Sequence, residues 1–146
     1  MKLKRYQFIS VVHLILTWEN KVLLLRRFNT GYEDGNYSLP AGHIDQAETA
    51  TQAVIRESKE EIKINLKRKD LTLVHVLHRN GDDHERIDFF FLAKSWQGEL
   101  VIGEPNKCDQ LRWCEDNNLP DNTIDYIKFV LGKINNHEIY SEFGWE

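Results

Sequence analysis

The stretch LPAGHIDQAETATQAVIRESKEEIKI, residues 39–64, decides the fold of this chain and points to its chemistry. Its second half predicts a helix from about Ala50 to Ile62, because Thr49 can cap the N-terminus and Gln52, three residues later, completes a capping box. At 100° per residue, three carboxylates of this helix share an arc of about 100°, directly beside the apolar stripe rather than opposite it. They are Glu57, Glu60 and Glu61.

Carboxylates at these spacings repel one another, and beside a core they also lose solvent, which raises their pKa values. A hard divalent cation removes both costs, and Mg²⁺ usually joins carboxylates to substrate phosphates. The cluster therefore predicts a site for Mg²⁺ and a diphosphate. The simpler interpretation of these residues alone is a solvated acidic face with an ion pair between Arg56 and Glu60.

The spacing ahead of the cluster favours the metal site. Gly42 stands six residues before Glu48, and Glu48 stands eight before Arg56, so the chain contains G-x5-E-x7-R-E-x2-E-E. At average residue frequencies this pattern occurs by chance on the order of once per 10⁵ such chains. It closely resembles the Nudix box of the Nudix (MutT-like) hydrolases, G-x5-E-x7-R-E-U-x-E-E-x-G-U, where U is apolar. Ile64 also fits the final U.

Two positions depart from the box. Ser58 stands where an apolar residue is usual, which is a mild change because serine is small. Lys63 stands where the family has glycine, a residue that suits a left-handed helix end. With lysine at this position, the left-handed turn could be formed by Lys63 itself or by Asn65. Neither position is an expected metal ligand.

The resemblance implies roles for the box residues. Their glutamates would hold the divalent cation, Mg²⁺ with Mn²⁺ as a substitute, and the first glycine would add its backbone carbonyl. The arginine and the first glutamate would pair and fix the loop against the helix. The implied metal ligands are Glu57, Glu60, Glu61 and Gly42, and the implied pair is Arg56 and Glu48.

A glutamate would take the proton of the attacking water. Within the box, Glu57 and Glu60 are the candidates for this base. Outside it, Glu104 in the loop at 103–105 is a candidate, although it could equally be an ordinary surface residue.

The candidates for substrate binding lie on both sides of the box. Arg26 and Arg27 end an apolar strand and point to opposite faces, so that one could contact phosphate; His43 follows the box glycine; and Trp113 could stack a base. Each has a structural alternative as a surface or core residue. Phe28, Tyr37 and Phe89 are further stacking candidates, and His13 either faces a base or is a satisfied core histidine.

The remaining sequence predicts an α/β fold. Nearly continuous apolar runs at 8–17 and 22–27 indicate strands that are covered on both faces. Further strands are predicted at 71–78, 86–95 and 111–114, with a loop at 28–37 and a closing helix whose apolar residues are Ile124, Ile127, Val130, Leu131 and Ile134. This order and the resemblance imply a Nudix-type α/β/α sandwich, with a mixed sheet between helices, in one domain over residues 1–146.

Composition limits the partners. A net charge of −4 argues against binding to a nucleic acid duplex, since that affinity comes largely from cations. The N-terminal apolar run is too short to span a bilayer, so no membrane is expected. Two cysteines without a C-x-x-C motif fit a reduced, cytoplasmic protein. The aromatic C-terminal tail would cover either a groove or a partner subunit, which leaves a homodimer open.

The function implied is Mg²⁺-dependent hydrolysis of a nucleoside triphosphate or related nucleotide to a monophosphate and pyrophosphate. ADP-ribose, dinucleoside polyphosphates and nucleotide sugars remain as other substrates. Two alternatives come from other classes: a non-catalytic nucleotide-binding module on the same fold, and an interaction protein whose acidic helix is a solvated face.

Overall fold

A computed structural model describes residues 4–146, and in them eight strands and two α-helices. A short 3₁₀ helix, Arg68–Asp70, precedes the fifth strand. The strands are β1 Ile9–Trp18, β2 Lys21–Arg27, β3 Tyr37–Ser38, β4 Ala41–His43, β5 Leu71–Asn80, β6 Glu85–Ala93, β7 Cys108–Glu115 and β8 Tyr140–Phe143, and the helices are α1 Ala50–Ile62 and α2 Asp125–Asn135.

The sheet is mixed and β1 lies at its centre. The main path runs β3-β2-β1-β6-β5-β8, while β4 pairs with β1 and β7 pairs with β2. β1 is parallel to β6 over residues 9–16, and its last two residues begin an antiparallel pairing with β2. β5 and β8 form a second parallel pair. The predicted mixed sheet is confirmed.

The two faces of the sheet carry separate cores. Alternate residues of β1 contribute to opposite sides: Leu14 and Leu16 join the cluster that includes α1, and Ile15 joins the cluster that includes α2. Both faces are therefore apolar, which explains the continuous hydrophobic run. The predicted α/β sandwich is confirmed.

Helix α1 follows the sequence prediction closely. Thr49 and Gln52 form the expected capping box, and the helix ends at Ile62. Ser58 is buried and its Oγ donates to the Val54 carbonyl at 2.6 Å, so the polar side chain is satisfied within the helix. Lys63 itself adopts the left-handed conformation (φ 62°, ψ 24°), and Asn65 does not replace it.

The short strands differ from the prediction. β3 and β4 were not expected, and β7 is longer than the run predicted at 111–114. The aromatic tail forms β8 along the edge of β5, so it extends the sheet of its own chain. Strands of two to four residues contain too few alternating apolar and polar positions to give a periodic signal in the sequence. Their pairing comes from backbone hydrogen bonds to neighbouring strands. In the described part of the chain, neither helix has the length and hydropathy of a membrane span.

Candidate active site

A cavity of about 1510 Å³ opens beside the N-terminal half of β1, between β4, α1 and the loops that follow β2, β5 and β6. One part of its wall is formed by glutamates, and another includes cationic, polar and aromatic side chains. Among the residues expected from the sequence, the cavity is lined by Arg27, Gly42, His43, Glu57, Glu60, Glu61, Glu104 and His13.

Gly42 lies directly against the carboxylate of Glu57. A Cβ at position 42 would stand 2.1 Å from Glu57 Cδ and 2.2 Å from Oε1, which real atoms do not tolerate. Gly42 is fixed in place because β4 pairs with β1, with Val12 opposite Gly42. The absence of a side chain at this position therefore lets the Glu57 carboxylate approach the β4 backbone.

Glu61 lies one turn further along α1 and is more deeply enclosed. Its Oε2 accepts a hydrogen bond of 2.9 Å from the backbone N–H of Ala41. Burial raises the pKa of Glu61 well above its usual value, and the charge of Glu57 raises it further. Burial also raises the pKa of Glu57, against the opposing effect of Arg56. The two carboxylates thus form a partly buried acidic pair on the cavity wall.

Arg56 joins the loop before α1 to the helix itself. Its Nε and Nη2 donate to the two carboxylate oxygens of Glu48 at 2.8 and 3.0 Å, and its Nη1 donates to Glu57 Oε1 at 2.8 Å. Nη2 also reaches the His43 carbonyl at 3.1 Å. Hydrogen bonds from Arg56 and from the backbone of Asp45 lower the pKa of Glu48 to about 2. One guanidinium therefore orients Glu57 and anchors the β4–α1 loop.

Glu104 and Glu60 complete the acidic part of the wall. Glu104 is half-buried, and its charge contributes to the raised pKa values of Glu57 and Glu61. Its loop is pressed against α1, because a Cβ at Gly103 would lie 2.0 Å from the backbone carbonyl oxygen of Glu60. The Glu60 side chain is half-exposed and lies 3.4 Å from Arg56 Nη1.

The donor set of this acidic part fits a hard divalent cation. Among residues 4–146 no three His, Cys, Asp or Glu side chains are already arranged around one metal ion. Mg²⁺, however, is usually held by one or two carboxylates together with substrate phosphates and water, not by a complete protein cage. Two partly buried carboxylates with raised pKa values are costly as anions, and a bound cation would remove that cost. Glu57 and Glu61 meet this requirement, and Glu60 and the Gly42 backbone lie beside them.

Several expected substrate contacts lie outside the cavity. Arg26 donates to both carboxylate oxygens of Asp109 at 2.8 and 3.0 Å on the other face of β2. Trp113 packs between Trp18 and Trp96, with ring centroids 6.0 and 6.1 Å away. Phe28, Tyr37 and Phe89 are likewise not among the residues that line the cavity.

Arg27 does line the cavity, but its guanidinium is engaged by the neighbouring loop. Its Nε donates to the Tyr32 carbonyl at 2.7 Å and its Nη2 to Thr30 Oγ1 at 3.1 Å. Arg27 therefore holds the 28–36 loop at the cavity mouth.

The cavity wall also contains residues that the sequence did not single out. Arg79, Tyr32 and Tyr126 line the cavity, and Asp88 lies behind them in full burial, bonded to His13. Asp88 interrupts an apolar strand directly before Phe89, Phe90 and Phe91. A charge at such a position was the signal in the sequence that could have identified this residue.

Comparison with known families and proteins agrees with this geometry. The family model described as NUDIX domain matches residues 7–131. Over 116 residues the chain is 32% identical to an ADP-ribose pyrophosphatase of Methanocaldococcus jannaschii, covering 80% of this chain and 67% of that protein. Over 88 residues it is 30% identical to an 8-oxo-dGTP diphosphatase of Escherichia coli, covering 60% of this chain and 67% of that protein.

A solved structure agrees as well. A MutT NUDIX hydrolase from Burkholderia pseudomallei superposes with a TM-score of 0.79 at 26% identity, over 87% of this chain and 98% of that one. The match to the family model spans most of the chain and includes the whole of the box. The chain therefore belongs to the MutT-like Nudix hydrolases, enzymes that act on phosphorus-containing anhydrides.

Proposed function

We propose that this protein is a Mg²⁺-dependent hydrolase that cleaves a nucleoside triphosphate or a related nucleotide to a nucleoside monophosphate and pyrophosphate. The observation that carries the proposal is the partly buried pair of Glu57 and Glu61, whose pKa values are raised, on the wall of a cavity large enough for a nucleotide. Such a pair needs a cation, and a cation at that position would attract a polyphosphate into a protein of net charge −4.

The residues that would hold the cation are Glu57, Glu60 and Glu61 with the carbonyl of Gly42, and Mn²⁺ could replace Mg²⁺. When bound, the cation neutralises charge on the phosphate oxygens and lowers the pKa of an attacking water. Arg56 keeps the Glu57 carboxylate turned towards β4, and Glu48 keeps Arg56 in place. These two residues position the site and do not touch the reacting atoms.

For the base that takes the proton from the water, the geometry favours Glu104. It lines the cavity near Glu57 and Glu61, and it comes from a separate loop, so it is free of their task of holding the cation. Glu57 is less suited, because Arg56 donates to it at 2.8 Å. Glu60 is the alternative base, since it lies at the same part of the cavity wall and half of its side chain is exposed.

A second substrate class is supported by a specific observation. The relative that is 32% identical carries the name ADP-ribose pyrophosphatase, so ADP-ribose is the alternative substrate. Dinucleoside polyphosphates and nucleotide sugars belong in the same test. The partners proposed are therefore small nucleotides, with no nucleic acid duplex and no membrane. Two buried free thiols, Cys108 and Cys114, support a reducing, cytoplasmic location as part of the proposal.

The experiment is a nucleotide panel with Mg²⁺ and with Mn²⁺, in which monophosphate, pyrophosphate and ribose phosphate are measured. Glu57→Gln and Glu104→Gln should each lower kcat by about 10²-fold or more, because one removes a cation ligand and the other the base. Glu99→Gln, at an exposed position outside the cavity, is the matched control and should keep full activity. Nucleotide binding without turnover would instead indicate a non-catalytic module. If the panel gave neither turnover nor metal-dependent binding, the remaining alternative would be an interaction protein.

A further inference from the structure

Another part of the cavity wall, separate from the glutamates, is a largely buried polar group that we call the base wall, made of His13, Arg79, Asp88 and Tyr126. Asp88 is fully buried and accepts from Arg79 Nε at 2.9 Å and Nη2 at 3.0 Å, and from His13 Nε2 at 2.9 Å. Three strands contribute His13 (β1), Arg79 (β5) and Asp88 (β6), and helix α2 contributes Tyr126. No local sequence motif joins them, so only the tertiary fold assembles the wall.

Arg79 and Asp88 form a buried ion pair within the base wall. Burial alone would raise the pKa of Asp88, but the hydrogen bonds from His13 and Arg79 outweigh it and lower the pKa to about 2. Asp88 is therefore an anion at neutral pH and balances the charge of Arg79. A second phosphate gains little from such a neutral pair, so an uncharged group is the better ligand for this part of the cavity.

Arg79 still has hydrogen-bond donors to offer. Its Nε and Nη2 are engaged by Asp88, whereas Nη1 makes no hydrogen bond to any of residues 4–146, and the residue lines the cavity. Its guanidinium carbon lies 3.9 Å from the centre of the Tyr126 ring. His13 Nδ1 is also buried without a partner in the described chain. Since a buried ion pair seldom adds net stability, this arrangement points to recognition.

A second aromatic ring enters the same cavity from the loop after β2. Tyr32 is half-exposed and lines the cavity, and its backbone carbonyl is held by Arg27. Asp34 accepts hydrogen bonds from the backbone N–H groups of Thr30 and Gly31, and the shortest distance is 2.9 Å for each group. These hydrogen bonds stiffen the loop. The ring of Tyr32 is therefore presented by an ordered loop.

We propose that the base wall and Tyr32 bind a nucleobase with an exocyclic carbonyl oxygen, to which Arg79 Nη1 donates a hydrogen bond. The rings of Tyr32 and Tyr126 supply the flat apolar surface on which a heterocycle stacks. This assignment rests on the proposed function, because it assumes that the phosphates lie at Glu57 and Glu61. It names the substrate class as oxo-base nucleotides, in preference to adenine nucleotides.

Inosine and adenosine nucleotides provide the matched test, because their bases have the same shape and differ by oxygen or an amino group at position 6. Calorimetry measures the dissociation constants of IMP and AMP, and kinetics with Mg²⁺ measure kcat/KM for ITP and ATP. The wild-type protein should favour inosine by about tenfold or more in both, as a hydrogen bond from a charged donor predicts. Equal affinity, or a preference for adenosine, would overturn the assignment.

Asp88→Asn tests the residue that holds Arg79. Asparagine keeps the size of the side chain but has one acceptor oxygen, so it cannot hold two N–H groups of Arg79 and Nε2 of His13 together. The inosine preference should then disappear. The control is Asp109→Asn, which alters the equivalent Arg26–Asp109 pair outside the cavity and should keep the preference. A folded Asp88→Asn protein that retained the preference would contradict the assignment.

Tyr32→Ala keeps the test decisive if Asp88→Asn does not fold. It removes a half-exposed ring and should weaken the binding of IMP and AMP alike by about tenfold, with their ratio unchanged. Unaltered binding of both nucleotides would rule out the proposed position of the base. Failure of the proposed function has a different result: no nucleotide would be hydrolysed, while the preference in binding could still be measured.

Discussion

Lys63 occupies a backbone conformation that lysine rarely adopts. With φ at 62° it closes α1 in the left-handed region, where a side chain with a Cβ costs roughly 1 kcal/mol relative to glycine. The side chain is exposed, so no buried contact is visible that would offset this cost. The position is therefore strained in a chain that otherwise follows the box.

Lys63→Gly should raise the free energy of unfolding by about 0.5–1 kcal/mol, because relief of the backbone strain outweighs the larger entropy of glycine in the unfolded chain. Urea denaturation measures the change. Lys59→Gly, at an exposed position inside the same helix, is the control and should lower the free energy of unfolding by about 1 kcal/mol. Destabilisation by both substitutions would show that Lys63 has a stabilising contact.

Glu48 makes stability depend on pH through its bonds to Arg56. Its pKa is about 2 in the folded protein and near 4.5 when unfolded, so its contribution is present above pH 4.5 and is lost as the pH falls towards 2. Glu48→Gln should therefore unfold at a lower urea concentration than the wild type at pH 7, and the gap should close between pH 4.5 and 2. In the exposed control Glu99→Gln, the midpoint should follow that of the wild type throughout. A gap that persisted at pH 2 would contradict this cause.

At the scale of elements, two glycines hold α1 against its neighbours in different ways. Gly42 on β4 faces the flexible end of the Glu57 side chain, whereas Gly103 faces the backbone of Glu60. A side chain at each position would therefore displace different atoms. Substitution of Gly42 therefore tests the placement of the Glu57 carboxylate, and substitution of Gly103 tests the packing of its loop against α1.

Gly42→Ala should leave the free energy of unfolding within about 1 kcal/mol of the wild type, because the Glu57 side chain can swing away, but it should weaken Mg²⁺ binding by about tenfold or more. Gly103→Ala should destabilise the protein by about 1–3 kcal/mol, since a backbone atom at 2.0 Å cannot move cheaply. Urea denaturation and calorimetry with Mg²⁺ measure the two effects. Equal losses of stability in both variants would argue against this distinction.

The elements differ in how far the sequence could predict them. Helix α1 was predictable at both ends, because its capping box and apolar stripe lie within one short segment. The acidic part of the cavity wall was predictable for the same reason. The base wall was not, because Arg79 and Asp88 meet only through the register of β5 on β6, and His13 through the parallel register of β1 on β6. Sequence periodicity does not specify the register between distant strands.

At the scale of the whole molecule, the distribution of charge should make folding stability depend on divalent ions. The acidic part of the cavity wall contributes several of the 23 acidic residues, and Glu57 and Glu61 lie partly buried beside each other. A cation that binds only the folded state stabilises it by mass action, by about 2.7 kcal/mol at a hundred times its dissociation constant.

Mg²⁺ or Mn²⁺ should therefore raise the thermal midpoint, and a chelator should reverse the change. In Glu61→Gln the increase should be much smaller, since a proposed ligand is gone, while Glu99→Gln should respond like the wild type. Differential scanning calorimetry over a range of ion concentrations measures both. An identical response of Glu61→Gln and the wild type would exclude Glu61 as a ligand.

The parallel pairing of β1 with β6 has a consequence for biosynthesis. Ile9 lies opposite Arg86, so the central strand emerges from the ribosome 77 residues before its partner. At about 5–20 residues per second, that interval lasts roughly 4–15 s, during which one of the most hydrophobic segments of the chain is without its main neighbour. The nascent chain should therefore engage chaperones that bind extended apolar segments until β6 emerges.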